Sequence, residues 1–307
     1  DQQVNLTRFP LFFPEKREFF LESAQLFNVG LGQDLQMFFS RRIGLEGGQP
    51  VPLLGGGRLT GKAGPFDVGV LTTQTEGTQE SPAANLSAGR VRWNVGSRSF
   101  LGGLVTSAAT DATASQTLAA DGRVWVSRYL RVEGFLGVLT GQEGGGHPMA
   151  FSTAAIYEQD LWGFRLRSLR VDKQFDPALG FVRRRDLFRN EAALRRGWRL
   201  NRTWSRKLDV SGEFSYLTNL QGKLDTRERF VTVNNELPSG DVLRFRLQKS
   251  LDRLEATDEP FVIHPRQGIV IPPGFYEFNY WNLAYQGFEG RAFRADVEVQ
   301  GGGYYGG

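Results

Sequence analysis

The chain has 307 residues, a formal net charge of +4, 40% hydrophobic and 23% charged residues and no cysteine, with a sequence isoelectric point of about 9.4 and a mean hydropathy of −0.33. No stretch approaches the ~20 consecutive apolar residues of a membrane helix, which excludes a helical membrane protein, whereas a membrane protein built of strands is apolar only at alternate positions and is compatible with so low a mean. The absence of cysteine removes disulfides, thiolate metal sites and cysteine nucleophiles, and arginines dispersed along the whole chain argue against nucleic acid as a partner.

The first 34 residues stand apart. Phe9-Pro10-Leu11-Phe12-Phe13-Pro14 is apolar and interrupted by prolines, which cannot donate to a ladder. Glu15 to Phe27 is expected to form a short helix with Phe19, Phe20, Leu21 and Leu26 as its apolar part. This stretch reads as a connector or plug, with Arg8, Glu15, Lys16 and Arg17 as candidates for pairing with charges elsewhere.

From Leu35 onward the pattern changes to two-residue alternation, first near Met37 to Ile43. Val91, Trp93 and Val95 alternate with Arg90, Arg92 and Asn94; Leu208 to Tyr216 alternates with Asp209, Ser211, Glu213 and Ser215. Leu243, Phe245 and Leu247 alternate with Arg244, Arg246 and Gln248, and Phe293 to Val299 with Arg294, Asp296 and Glu298. Each such strand has one apolar and one charged face. Short turns are expected at 63–65, 96–98, 127–129, 160–163, 201–206, 237–240 and 286–290, and longer polar connections at 75–85, 107–117, 140–148, 172–188, 218–226 and 249–273. Aromatic residues gather beside the short turns (Phe66, Trp93, Tyr129, Trp162, Phe164, Trp198 and Trp204), as in an interfacial girdle.

Short turns alternating with long loops describe an all-β, antiparallel, up-and-down transmembrane β-barrel, with about 14–16 strands in residues 35–307. With short turns on the periplasmic side, the first strand runs outward and residues 1–34 begin in the periplasm or the lumen. An odd count of about 15 and the glycine-rich ending Gly301 to Gly307 suggest a piece of a larger barrel, truncated at the C-terminus.

In such a barrel Arg41, Arg90, Arg92, Arg165, Arg167, Arg244, Arg246, Arg294 and Glu213 are candidates to line the lumen, because a charge facing lipid at mid-bilayer costs ~2–4 kcal/mol. They would either favour anionic or hydroxyl-rich solutes or pair with Asp209, Glu213, Asp296 and Glu298 in a static network. No catalytic residue, metal or cofactor is expected. His147 and His264, the two histidines, would carry a hydrolase reading if there were one.

Three blocks carry a resemblance: Asn5 to Glu22 with its Pro14-Glu15-Lys16-Arg17-Glu18-Phe19-Phe20 core; Phe38-Phe39-Ser40-Arg41-Arg42-Ile43-Gly44 followed by Gly57 to Lys62; and Phe175-Asp176-Pro177 with Gly180 to Arg183. Together they resemble a bacterial envelope family whose members carry an N-terminal family-9-type carbohydrate-binding module followed by a region expected to be an outer-membrane barrel. The resemblance implies a periplasmic carbohydrate-binding module in the full-length protein, and outer-membrane lipid, lipopolysaccharide and a glycan or oligosaccharide as partners. The function expected is a channel or uptake pore for glycans or other polar or anionic solutes. The alternatives are a surface carbohydrate-binding or anchoring protein that holds ligand in its long loops, and a membrane-embedded hydrolase.

Overall fold

Period-two sequences separated by turn residues fold into one meander. The structure, a computed structural model, describes residues 9–46, 48–77, 82–141, 146–255, 261–264 and 269–305. Among these, fourteen strands form a single sheet in which each strand pairs with its neighbours in sequence. They are β1 (Leu53–Ala63), β2 (Phe66–Thr75), β3 (Asn85–Val95), β4 (Ser99–Ala109), β5 (Ala114–Trp125), β6 (Leu130–Thr140), β7 (Met149–Glu158), β8 (Trp162–Val171), β9 (Leu187–Arg202), β10 (Ser205–Thr218), β11 (Leu224–Glu236), β12 (Val242–Leu254), β13 (Gly274–Gln286) and β14 (Asp296–Gly302). Every ladder is antiparallel. The tight turns use residues that tolerate the left-handed region, Gly64 (φ 59°) between β1 and β2 and Asn201 (φ 49°) at the end of β9.

The closed barrel is not what the described residues form. β1 and β14 are the two edges of the sheet and do not pair with each other. Alternation dictates strands and faces, but closure depends on strand tilt and stagger accumulated over the whole sheet, which no local pattern encodes.

Other expectations change locally. Met37 to Ile43 is not a strand: Ser40–Arg42 is a 3-10 turn. Backbone donors that a sheet would use go elsewhere, Met37 N–H to Val29 O (2.8 Å) and Phe39 N–H to Leu179 O (2.7 Å). The expected helix is two single turns, Glu18–Leu21 and Ala24–Phe27, separated by Ser23 at φ 57°. The expected long connection 107–117 shrinks to a tight turn in which Thr110 N–H donates to Thr113 O (2.8 Å). The expected turn 286–290 lengthens, since β14 starts only at Asp296. Because Met37 to Ile43 is not a strand, β1 begins at the end of the sheet that carries the long connections, where Glu76 N–H donates to Pro52 O (2.9 Å). Residues 9–52 therefore enter the sheet from that end, not from the short-turn end.

The two faces of the sheet differ in an unusual way. The face carrying Leu59, Val70, Val91, Leu101, Val105, Leu118, Val132, Leu136, Leu166, Leu194, Val231, Leu247, Leu283 and Val297 is uncovered. Leu59 is 75% exposed, Leu194 56% and Val297 55%. The charged face is the covered one. Residues 9–46 and the 172–182 segment lie on it, tied together by the Leu35–Gln36 ladder with Phe181–Val182. Beneath them, the half of this face nearer the long connections is apolar. Leu71, Leu86, Leu104, Phe135, Leu139, Leu169 and Leu187 form one core with Phe20, Phe27, Val29, Met37, Phe38, Phe175 and Leu179. Close approach requires glycine at position 137, where an added Cβ would lie 2.4 Å from Met37 Cε. The 172–188 connection, expected as an outward loop, thus folds back and buries Phe175 and Leu179.

The apolar face has an aromatic border. Phe66 pairs with Trp93, and Trp162, Phe164, Trp198 and Trp204 lie beside short turns on the same face, 46%, 37%, 39% and 57% exposed. The Arg196 guanidinium stacks on Trp162, 4.3 Å from its centroid. Toward the long connections the apolar band on β11–β13 gives way to charge, with Glu277 bonding Arg227 (3.3 Å) and Lys249 (3.5 Å). Along β5 and the residue that follows it, the band from Leu118 to Val126 covers roughly 27 Å at ~3.4 Å per residue.

Candidate functional site: the charged half of the covered face

Nearer the short turns, the covered face is a lattice of opposite charges. Alternation places Arg90 and Arg92 on β3, Arg165 and Arg167 on β8, Glu213 on β10 and Arg244 and Arg246 on β12 on this one face, and the register brings all but Arg244 and Arg246 to an opposite charge one or two strands away. Arg92 Nη2 meets Asp67 Oδ2 at 2.7 Å, with Asn94 Nδ2 donating to the same oxygen at 2.8 Å. Arg131 bridges to Glu158 (2.7 Å) and Glu133 (3.6 Å), and Arg123 to Glu133 (2.9 Å). Arg167 lies 3.6 Å from Glu191, Arg195 2.8 Å from Asp209, and Arg165 3.5 Å from Glu213. Arg244 Nε donates to Asn234 Oδ1 (2.9 Å), while Arg246 stacks on Phe230 at 4.3 Å.

Arg90 is the most enclosed. Its side chain is 1% exposed, and Nη1 and Nη2 grip both oxygens of Asp121 at 2.6 and 3.0 Å. That carboxylate is two strands away. The guanidinium crosses β4 over Gly102, where an added Cβ would fall 2.6 Å from Nη1. Its remaining Nε–H donates to Leu26 O (2.9 Å), so one ion pair both spans three strands and holds the N-terminal segment down.

Two of the expected lining residues lie elsewhere. Arg41 is in the 3-10 turn and donates to Pro14 O (3.0 Å). Arg294 is in the connection before β14 and pairs with Glu289 (2.8 Å) and Asp296 (2.9 Å). Of the expected plug residues, Arg8 lies outside the described residues. Glu15 and Arg17 bond each other and not the sheet. Arg17 Nε and Nη2 donate to the two Glu15 oxygens (2.9 and 2.7 Å), Ser40 Oγ donates to Glu15 Oε2 (2.8 Å), and Arg17 donates on to Ser40 O and Ile43 O (both 2.8 Å). The backbone N–H of Lys16 also donates to Glu15 (2.9 Å). The Pro14 to Phe20 block is therefore an internal clasp around the 40–43 turn. Contacts from segment to sheet are made instead by Arg58 with Glu22 and with Phe19 O, by Arg90, and by Asp34 with Arg189 (2.7 Å). Arg58 and Asp121 obey the same alternation as the residues singled out from the sequence; Asp34, in a turn, has no such signal.

Burial works against ionisation of Glu15, but the hydrogen bonds from Arg17, Ser40 and Lys16 outweigh it and carry the carboxyl from 4.5 down to about 2. A depressed carboxylate stabilises the fold fully above its unfolded value and loses that stabilisation as pH falls through the folded one. The clasp is thus expected to hold above pH 4.5 and to open between about 4.5 and 2. Glu15→Gln should cost about 2–3 kcal/mol at neutral pH and flatten that acid limb. Hydrogen exchange of residues 40–43 against pH measures it; an unchanged profile in the variant would contradict the clasp.

Above β8–β13 the lattice opens into a cavity of about 420 Å³, roofed by Phe9, Asp34, Arg183 and Arg184 and floored by Arg165, Glu213, Ser215, Glu228, Phe230 and Phe278 among others. Among the described residues no group of three or more His, Asp or Glu could hold a metal ion. No helix among them is long and apolar enough to cross a membrane, which says nothing of strands.

A family model described as Domain of unknown function (DUF5916) matches residues 1–52, the stretch that contains the clasp and the 40–43 turn. No curated protein and no solved structure matches the chain.

Proposed function

We propose that this sheet is wall of a bacterial outer-membrane β-barrel, that its apolar face meets lipid and its charged face a lumen, and that the protein conducts polar solutes past an N-terminal segment seated in that lumen. The reading is carried by one observation: polarity is inverted. All fourteen strands have a large apolar side chain on the uncovered face, including Met149 on β7 (37%) and Phe214 on β10 (39%), whereas the arginines and carboxylates face the covered side. Soluble monomers rarely leave a contiguous apolar patch beyond a few hundred Å² in water. In a bilayer the same arrangement is the favourable one, since lumen and lipid faces must alternate along each strand. The aromatic border with Arg196 on Trp162 suits a headgroup layer, and short turns at one end against longer connections at the other suit periplasmic and outer faces. The unpaired edges of β1 and β14 would need partners in hydrocarbon.

Planar-bilayer conductance of the full-length protein tests the conduit. Stepwise ionic conductance is expected, larger in Arg90→Ala, whose N-terminal segment has lost the bond to Leu26. A protein that inserts but stays silent in both forms would overturn the conducting role.

A further inference from the structure

We infer that the cavity over β8–β13 is a binding site for a neutral polyhydroxylated solute, a mono- or short oligosaccharide, with Glu228 as its principal acceptor. The inference rests on the lumen reading above and names what the lumen would take.

The register places the residues. Ser215, Glu228, Ser250 and Phe278 sit opposite one another in a row across β10–β13, and Glu213 and Phe230 form the adjoining row. Directly opposed side chains are ~5 Å apart at Cβ and diagonal ones ~7–8 Å, so the three steps of the row span roughly 15 Å, the length of a short oligosaccharide. The cavity volume of about 420 Å³ falls in the ~300–1,000 Å³ range of small-molecule sites.

The bonding state of the patch selects the ligand. Elsewhere on this face most arginines meet an acid, while Arg244 bonds Asn234 and Arg246 stacks on Phe230. Here, among the described residues, Glu228 is within hydrogen-bond or ion-pair reach of no partner, and Ser215 Oγ is equally free. Arg165 and Glu213 face each other at 3.5 Å with side chains 43% and 41% exposed, joined by no hydrogen bond. The patch therefore offers acceptors (Glu228, Glu213), donors (Arg165) and a hydroxyl that does both. An anion would meet a lining of four arginines and five carboxylic groups, an excess of acid. An organic ammonium ion could use the carboxylates but has no acceptor for Arg165. A sugar hydroxyl donates to a carboxylate and accepts from a guanidinium at once, and the apolar face of the ring can rest on Phe230 or Phe278.

Calorimetric titration of the full-length protein in lipid nanodiscs decides it, with maltose, lactose and xylobiose as sugar probes, citrate as the anion and putrescine as the cation. At least one sugar is expected to bind, with citrate and putrescine silent. Glu228→Ala and Phe230→Ala should each weaken sugar binding roughly tenfold or more, Glu228→Gln less, and Val231→Ala on the opposite face not at all. Glu228 has no partner to lose, so its variants should keep the fold, and Phe230→Ala gives an independent arm. The site is overturned if no sugar binds, if citrate or putrescine binds in preference, or if binding survives both Glu228→Ala and Phe230→Ala unchanged. Conductance of the same preparations separates the two ideas: sugar binding that depends on Glu228 in a silent protein removes the conduit and keeps the site, and a conducting protein blind to sugars removes the site alone.

Discussion

Arg90→Ala is expected to destabilise the protein by about 3–5 kcal/mol, because it strands the Asp121 carboxylate, 10% exposed, without its counter-ion. The loss is larger than for any exposed pair on the molecule, where the usual contribution is ~0–1 kcal/mol. The Arg199–Asp160 pair, with side chains 67% and 47% exposed, is the natural comparison. Removing both charges by Arg90→Leu with Asp121→Leu should recover much of the loss, since a buried pair replaced by apolar groups is often neutral. Gly102→Val should resemble Arg90→Ala although it deletes no charge, because a Cβ there would lie 2.6 Å from the guanidinium. Urea unfolding of the four proteins under one set of lipid conditions gives the comparison. A loss below 1 kcal/mol in Arg90→Ala, or a double variant no better than the single one, would refute a buried pair as the source.

Phe175→Ala should cost a comparable ~3–5 kcal/mol, by cavity formation and not by charge. Phe175 and Met37 are both fully buried, and they meet over Gly137, whose missing side chain is the reason the covering segments can touch the sheet. The strands of the sheet would keep their ladders in the variant, while the two-residue pairing of Leu35–Gln36 with Phe181–Val182 would lose its support. The expected signature is local: faster amide exchange at 35–37 and 179–182, with β3–β8 little changed. Uniform acceleration across the sheet would instead mean that the covering segments and the sheet unfold as one unit.

Most of the sheet was legible from the sequence, and the reason is physical. A strand with one wet and one dry face needs strict period two, so Val91-Arg92-Trp93 or Leu243-Arg244-Phe245 reveals both the strand and which side chains share a face. Turn residues at 64, 96, 201 and 240 mark the reversals because only certain residues accept those dihedrals. Met37 to Ile43 misled because its apolar residues are dry for another reason: Met37, Phe38 and Ile43 are buried in the core between segment and sheet, and the N–H groups of Met37 and Phe39 bond the Val29 and Leu179 carbonyls. The Glu15–Arg17 clasp could not be separated from a sheet-binding plug by residue type, since both uses need an acid and a guanidinium. Likewise the ordered fold-back of Phe175 and Leu179 depends on a hole at Gly137, distant in sequence. Closure was the least legible property, being decided by the sum of many small inter-strand rotations.

The open edges nevertheless carry a rule. β1 runs toward the short turns and β14 away from them, as the first and last members of an even antiparallel series must. Their free backbone groups are therefore already oriented for an antiparallel seam. In the barrel proposed above, either the two edges would meet directly or an even number of strands would stand between them; an odd number would force one parallel ladder into an otherwise antiparallel sheet. Parity thus restricts how the proposed barrel could close.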